Sequence, residues 1–156
     1  MRIGYTCGVF DLFHVGHLNL LERCKAQCDY LIVGVCSDEY VRECKKTEPI
    51  IGENERTRIL GALKYVDKAE VVSIEETYDK ILAWEKFHFN VLFSGSDWKG
   101  TPRFLETEKQ FREKGIALDI VFFDYTQGVS TSDIKNAGTS IEKISILDTF
   151  TEIGTG

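Results

Sequence analysis

Five short apolar runs punctuate the chain, at residues 3–6, 30–36, 70–72, 91–93 and 120–123, with helix-type periodicity between them. The run at 30–36, Tyr-Leu-Ile-Val-Gly-Val-Cys, is nearly continuous in apolar side chains, as a strand covered on both faces requires. Leu18, Leu21, Cys24 and Cys28 recur at spacings of three, three and four, which predicts one helical face. Ile59, Leu63 and Val66 repeat at four and three, and Thr101-Pro102 forms a cap and first-turn pair ahead of Phe104, Leu105 and Phe111. Such alternation predicts an α/β fold, a doubly wound parallel sheet of about five strands flanked by helices. Sheets of this kind hold ligands beyond the carboxyl ends of their strands.

The length, 156 residues, suits one domain that buries roughly 68–70% of its unfolded surface without staples. With 19 Lys and Arg against 25 Asp and Glu, the net charge of −6 argues against nucleic acid or an anionic membrane as partner. An anionic ligand would therefore need a locally positive site within an acidic surface. Cys7, Cys24, Cys28, Cys36 and Cys44 are odd in number and crowd into the first third, which predicts reduced thiols and a cytoplasmic protein. No apolar stretch reaches membrane-span length, and the first residues lack a signal-peptide core. The expected division is one folded domain over residues 1–135 and an extension of uncertain structure over 136–156.

The first strand leads into Gly8-Val9-Phe10-Asp11-Leu12-Phe13-His14-Val15-Gly16-His17. Two histidines three apart at a helix start can both face a ligand seated against the first-turn N–H groups, where the helix dipole favours an anion. Gly8 suits close backbone approach to that ligand. The same pair can also be plain polar residues at a helix start, or two zinc ligands. Zinc is weakened by the absence of Cys-x-x-Cys spacing, and Cys24 with Cys28 reads better as buried helix face. After the last strand, Thr126-Gln127-Gly128-Val129-Ser130-Thr131-Ser132-Asp133 places hydroxyls and a capping pair at a helix start, a second anion seat or simply a well-capped helix.

Together, Gly-x-Phe-Asp-x-x-His-x-Gly-His and the later Gly-Val-Ser-Thr-Ser resemble the cytidylyltransferase branch of the nucleotidyltransferase superfamily, with bacterial glycerol-3-phosphate cytidylyltransferases most alike. The likeness runs over roughly residues 2–135 and takes in Ser37-Asp38-Glu39, Lys45-Lys46, Glu55-Arg56, Tyr65-Val66-Asp67 and Gly95-Ser96-Asp97-Trp98. It implies a Rossmann-like fold that transfers CMP from CTP to a small phosphorylated alcohol, glycerol 3-phosphate first, for cell-surface polymer synthesis. Mg2+ as cofactor and a homodimer are implied as well.

By resemblance, His14, His17 and Lys46 are catalytic, and Gly8, Val9, Phe10, Asp11, Asp97, Thr126, Gly128, Ser130 and Thr131 bind the nucleotide. Lys45, Arg56 and Tyr125 fall on the acceptor and phosphate side, with Arg56 holding either the phosphates or the loop over them. Asp11 or Asp97 is a candidate metal ligand, Asp97 ranks above Trp98 as a functional residue, and Asp38 reads as a first-turn helix residue. Tyr125 departs from the family, which commonly has Arg there; Tyr supplies no charge and no fork, so another cation must serve, with Lys99 and Lys135 as candidates. Two other readings share these residues: an adenylyltransferase of the same superfamily in coenzyme synthesis, and a noncatalytic nucleotide-binding regulatory protein. Class I aminoacyl-tRNA synthetases share His-x-Gly-His but need further domains, for which this length leaves no room.

Overall fold

A computed structural model describes residues 1–124 and Ile134. The elements are β1 (Ile3–Gly8), α1 (Val15–Ala26), β2 (Tyr30–Cys36), α2 (Asp38–Cys44), α3 (Glu53–Gly61), β3 (Lys68–Val72), α4 (Ile74–Tyr78), α5 (Lys80–Phe87), β4 (Val91–Gly95), a 3-10 turn (Ser96–Trp98), α6 (Pro102–Glu113) and β5 (Asp119–Phe123). Every strand pair is parallel, in the order β3-β2-β1-β4-β5. The five apolar runs are the five strands. The predicted late motif and tail lie outside the described residues.

Strand alternation sends side chains to two separate cores. Leu31, Val33 and Phe93 pack with Leu21 and Cys24 of α1 and Leu60 of α3. Tyr5, Ile32 and Leu92 point the other way, against Ile81 and Phe87 of α5 and Phe104 and Phe111 of α6. Full burial of each such side chain stabilises the fold by about 1.5–3 kcal/mol, which fixes the register because a one-residue slip would exchange the faces. Among the described residues no helix is long and apolar enough to cross a membrane.

The helices differ from the sequence expectation in three places. Cys28 lies past the end of α1 and is half-buried, although Leu21 and Cys24 do face the core. In α3 the inward positions are Arg56 and Leu60, while Ile59 is exposed and Leu63 and Val66 follow the helix. A charged residue on the buried face shifted the apolar pattern by one position. In α6 the Thr101 cap forms as expected, and Phe104 and Phe111 are buried, but Leu105 is exposed.

The sheet also opens where its strand order reverses. β1 pairs with β2 over six positions, from Ile3 with Tyr30 to Gly8 with Val35, but with β4 only through Gly4 with Val91 and Tyr5 with Leu92. Beyond those two pairs the strands part, and their carboxyl ends border a crevice at the topological switch point.

Candidate active site

A cavity of about 340 Å3 fills that crevice, within the size range of small-molecule sites. Cys7 and Gly8 from β1, Cys36 from β2, Ser94 and Gly95 from β4, and Phe123 and Asp124 at the end of β5 line it, together with His14 and His17.

The loop from β1 to α1 is held under constraint. Phe10 and Leu12 adopt positive φ, 55° and 52°, a region that costs a non-glycine residue about 1–2 kcal/mol. Between them the buried Asp11 carboxylate accepts N–H bonds from Leu12 (3.0 Å), Ile50 (2.8 Å) and Ile51 (2.9 Å). Asp11, expected at the nucleotide or a metal, here ties its own loop to the segment ahead of α3. Phe10 packs in the core and sets its ring edge against His17 at 5.3 Å. The same ring occupies the space above Gly8, 2.9 Å from where a Cβ would stand, so this glycine accommodates Phe10 as well as bordering the cavity.

The histidines form a reciprocal cap on α1. His14 Nδ1 accepts from the Gly16 amide (3.0 Å), His17 Nδ1 accepts from the His14 amide (3.2 Å), and the rings stack with centroids 3.9 Å apart. An Nδ1 that accepts an N–H bond carries no proton, which assigns both neutral rings as Nε2–H donors. Burial keeps them neutral: it lowers the His14 pKa and, with His14 as neighbour, pushes His17 down to about 3. His14 Nε2 is buried without a partner in a ring that lines the cavity. An orphaned buried donor is costly unless a ligand satisfies it. A phosphate oxygen would do so.

The cavity is positive inside an acidic protein. Among the described residues Arg23, Lys45, Lys80 and Arg103 line it, against one carboxylate, Asp124. The expected local positive charge is present, with partly different residues. Lys45 borders the cavity and exposed Lys46 does not. Asp97 and Lys99 are exposed outside the lining, whereas Trp98, ranked lower from sequence, is in it.

Arg56 corrects the phosphate assignment. Its side chain is wholly buried, with Nε donating to Ile51 O (2.8 Å), Nη1 to Val9 O (2.7 Å) and Cys36 O (2.8 Å), and Nη2 to Asp38 Oδ1 (2.6 Å). These bonds tie the ends of β1 and β2 to the loop ahead of α3, so Arg56 holds the loop and is enclosed away from any phosphate. Val9, expected at the nucleotide, gives its carbonyl to this clamp, though the residue still borders the cavity. Asp38 is the first residue of α2, as expected.

Sequence reasoning missed Arg23, Lys80 and Arg103. Lys80 is buried, its ammonium on Thr77 O at 2.5 Å, and Arg103 Nη2 donates to the same carbonyl at 2.8 Å. Nothing local distinguishes Lys80 from a solvated lysine. Arg103 did carry a signal, a cation in the first turn of α6 where the dipole disfavours one. Tyr125, Thr126, Gly128, Ser130 and Thr131 lie outside the described residues.

The described residues preform no magnesium site of their own. No group of three His, Cys, Asp or Glu side chains among them could hold a metal, the Asp11 oxygens already accept three amides, and Asp97 stands outside the cavity.

Parallel strands, a crevice at the switch point, a helix start bearing His-x-Gly-His and a cationic lining define a nucleotide-handling α/β enzyme. The chain belongs to the cytidylyltransferase-like family, whose profile matches residues 5–137, and is a nucleotidyltransferase. Glycerol-3-phosphate cytidylyltransferase of Bacillus spizizenii (strain ATCC 23059 / NRRL B-14472 / W23) is 36% identical over 135 residues, 86% of this chain and 95% of that protein. Bifunctional protein HldE of Geotalea uraniireducens (strain Rf4) is 38% identical over 92% of this chain, but only 27% of HldE is covered. Among solved structures, the lipopolysaccharide core biosynthesis protein from Thermoplasma volcanium GSS1 superposes with a TM-score of 0.71 at 28% identity, over 81% of this chain and 99% of that one.

Proposed function

We propose that the catalytic domain, residues 1–135, transfers CMP from CTP to a small phosphorylated alcohol, with glycerol 3-phosphate the first candidate, and releases pyrophosphate. The observation that carries this reading is the buried, unpartnered His14 Nε2 beside His17 in a cationic cavity. A phosphate oxygen of the acceptor attacks the α-phosphorus, the new P–O bond forms, and the bond to the bridging oxygen breaks with its electron pair leaving on pyrophosphate. A phosphate monoester is already largely ionised at neutral pH, so no general base is required.

The protein's part is orientation and preorganised charge. The two Nε2–H donors meet charge that grows on the leaving group, and Lys45, with Lys46 beside it, offsets the phosphates. The late motif, Thr126, Gly128, Ser130 and Thr131, supplies the second seat for the nucleotide. Magnesium arrives on the triphosphate as part of the substrate, which agrees with its habit of binding phosphates with few protein ligands. The homodimer expected from the family is retained in this reading, as is a cytoplasmic location.

A pyrophosphate-release assay that crosses CTP, ATP, GTP and UTP with a panel of phosphorylated alcohols tests the proposal. CTP with one polyol phosphate is expected to exceed every other pairing. Preference for ATP would establish the adenylyl alternative, and release with no pair would leave a nucleotide-binding protein.

A further inference from the structure

The cavity is charged from both faces of the sheet. His14, His17 and Arg23 come from the start and body of α1, on the face shared with α3, whereas Lys80 and Arg103 come from α5 and α6 on the opposite face. Phosphoryl-group displacement places the attacking and leaving oxygens roughly in line across the phosphorus. With the histidines at the leaving group, the attacking phosphate must enter from the α5/α6 side.

Arg103 is built for an oxyanion there. Its guanidinium lies over the Tyr78 ring at 4.6 Å and the Trp98 ring at 5.1 Å, and Nη2 is fixed on Thr77 O. Stacking and one hydrogen bond set the plane of the fork, while no carboxylate among the described residues pairs with it or with Lys80. An arginine has five N–H donors, and a preset plane loses little freedom when it grips a phosphate with two of them. Asp124, which precedes Tyr125 in the chain, lines the same cavity as Arg103.

We propose that Arg103 is a specificity-determining residue that binds the phosphate of the acceptor, supplying a bidentate fork from α6. The inference rests on the function proposed above.

Steady-state kinetics of Arg103→Ala and Arg103→Lys against wild type, with the acceptor and CTP varied in turn, test it. Arg103→Ala is expected to raise the acceptor KM about 10- to 100-fold, as loss of charged hydrogen bonds implies, and to leave the CTP KM within about twofold. Arg103→Lys keeps the charge without the fork and should recover only part of the loss; thermal unfolding confirms that both variants are folded. An unchanged acceptor KM in both folded variants, or equal rises in the two KM values, would overturn the proposal while the transferase reading stands. Wild type that turns over no nucleotide with any phosphorylated alcohol would overturn the transferase reading and this one with it.

Discussion

Asp38 closes a 2.6 Å ion pair on Arg56, whose side chain is fully enclosed while the aspartate remains one-fifth exposed. The pair lies at the start of α2, just beyond the end of β2, and its arginine also bonds Val9 O and Cys36 O at the ends of two strands. The cation therefore shapes the floor of the site without reaching into it. Removing it would strand three carbonyls and a carboxylate, so Arg56→Ala should lower stability by about 3–5 kcal/mol in urea denaturation. Arg56→Lys keeps the charge but cannot serve four acceptors in one plane and should fall in between. A stable Arg56→Ala whose only defect is a raised KM would restore the direct phosphate role.

The two nitrogens of His14 separate structure from chemistry. Nδ1 caps α1, and Nε2 is the orphaned donor. Asn can reproduce the Nδ1 acceptor but not the Nε2 donor. His14→Asn should stay within about 1 kcal/mol of wild type in stability, the scale of one helix cap, yet lose about 10²–10³-fold in kcat. His14→Ala should lose both, and the comparison needs only a melt and a rate for each variant.

Acid should destabilise the fold through His17. Its folded pKa, pushed down to about 3 by burial and by His14, lies below the ordinary value of 6.5. Between those values the unfolded chain binds more protons than the folded one, so this contribution is fully present above about 6.5 and is lost as pH falls toward 3. Urea midpoints measured from pH 7.5 to 4 should decline, and His17→Asn should flatten the decline. The His17 imidazole should also stay neutral at pH 5 when followed by NMR in the free protein.

One thiol at the cavity should react ahead of the others. Cys7 Sγ lies 3.6 Å from Cys36 Sγ; the hydrogen bond from Cys36, then the nearby Lys80 charge, holds the Cys7 pKa below the ordinary thiol value against the opposing effect of burial. Burial raises the pKa of Cys24 and of Cys28. Iodoacetamide should therefore label Cys7 at a lower pH than an ordinary thiol requires, and CTP should slow labelling because Cys7 lines the cavity. Peptide mass mapping that finds Cys24 modified first would contradict this.

The strands were legible because burial on both faces demands apolar runs. The His-x-Gly-His loop was legible because its residues act through local geometry: one Nδ1 on the Gly16 amide and one on the amide of the N-cap His14 need only a helix start at Val15. Arg56 misled for the opposite reason. Its acceptors come from positions 9, 36, 38 and 51, so nothing in its own neighbourhood shows that it is buried. Lys80 was hidden in the same way, whereas Arg103 showed only as a cation in a helix first turn; the two converge on the Thr77 carbonyl from different helices. Lys45 and Lys46 are adjacent, and which of them turns to the cavity depends on backbone conformation, with Lys46 at φ 58°.

Transfer of a nucleotidyl group to a phosphate acceptor is observed directly by 31P NMR. With CTP, glycerol 3-phosphate, magnesium and the protein, resonances of pyrophosphate and of a coupled diphosphate diester should grow together in equal amounts, and His14→Asn should suppress both. Other phosphorylated alcohols substitute in the same experiment if glycerol 3-phosphate is not the acceptor. CTP that persists with every acceptor, or that yields inorganic phosphate and CDP instead, would contradict the account.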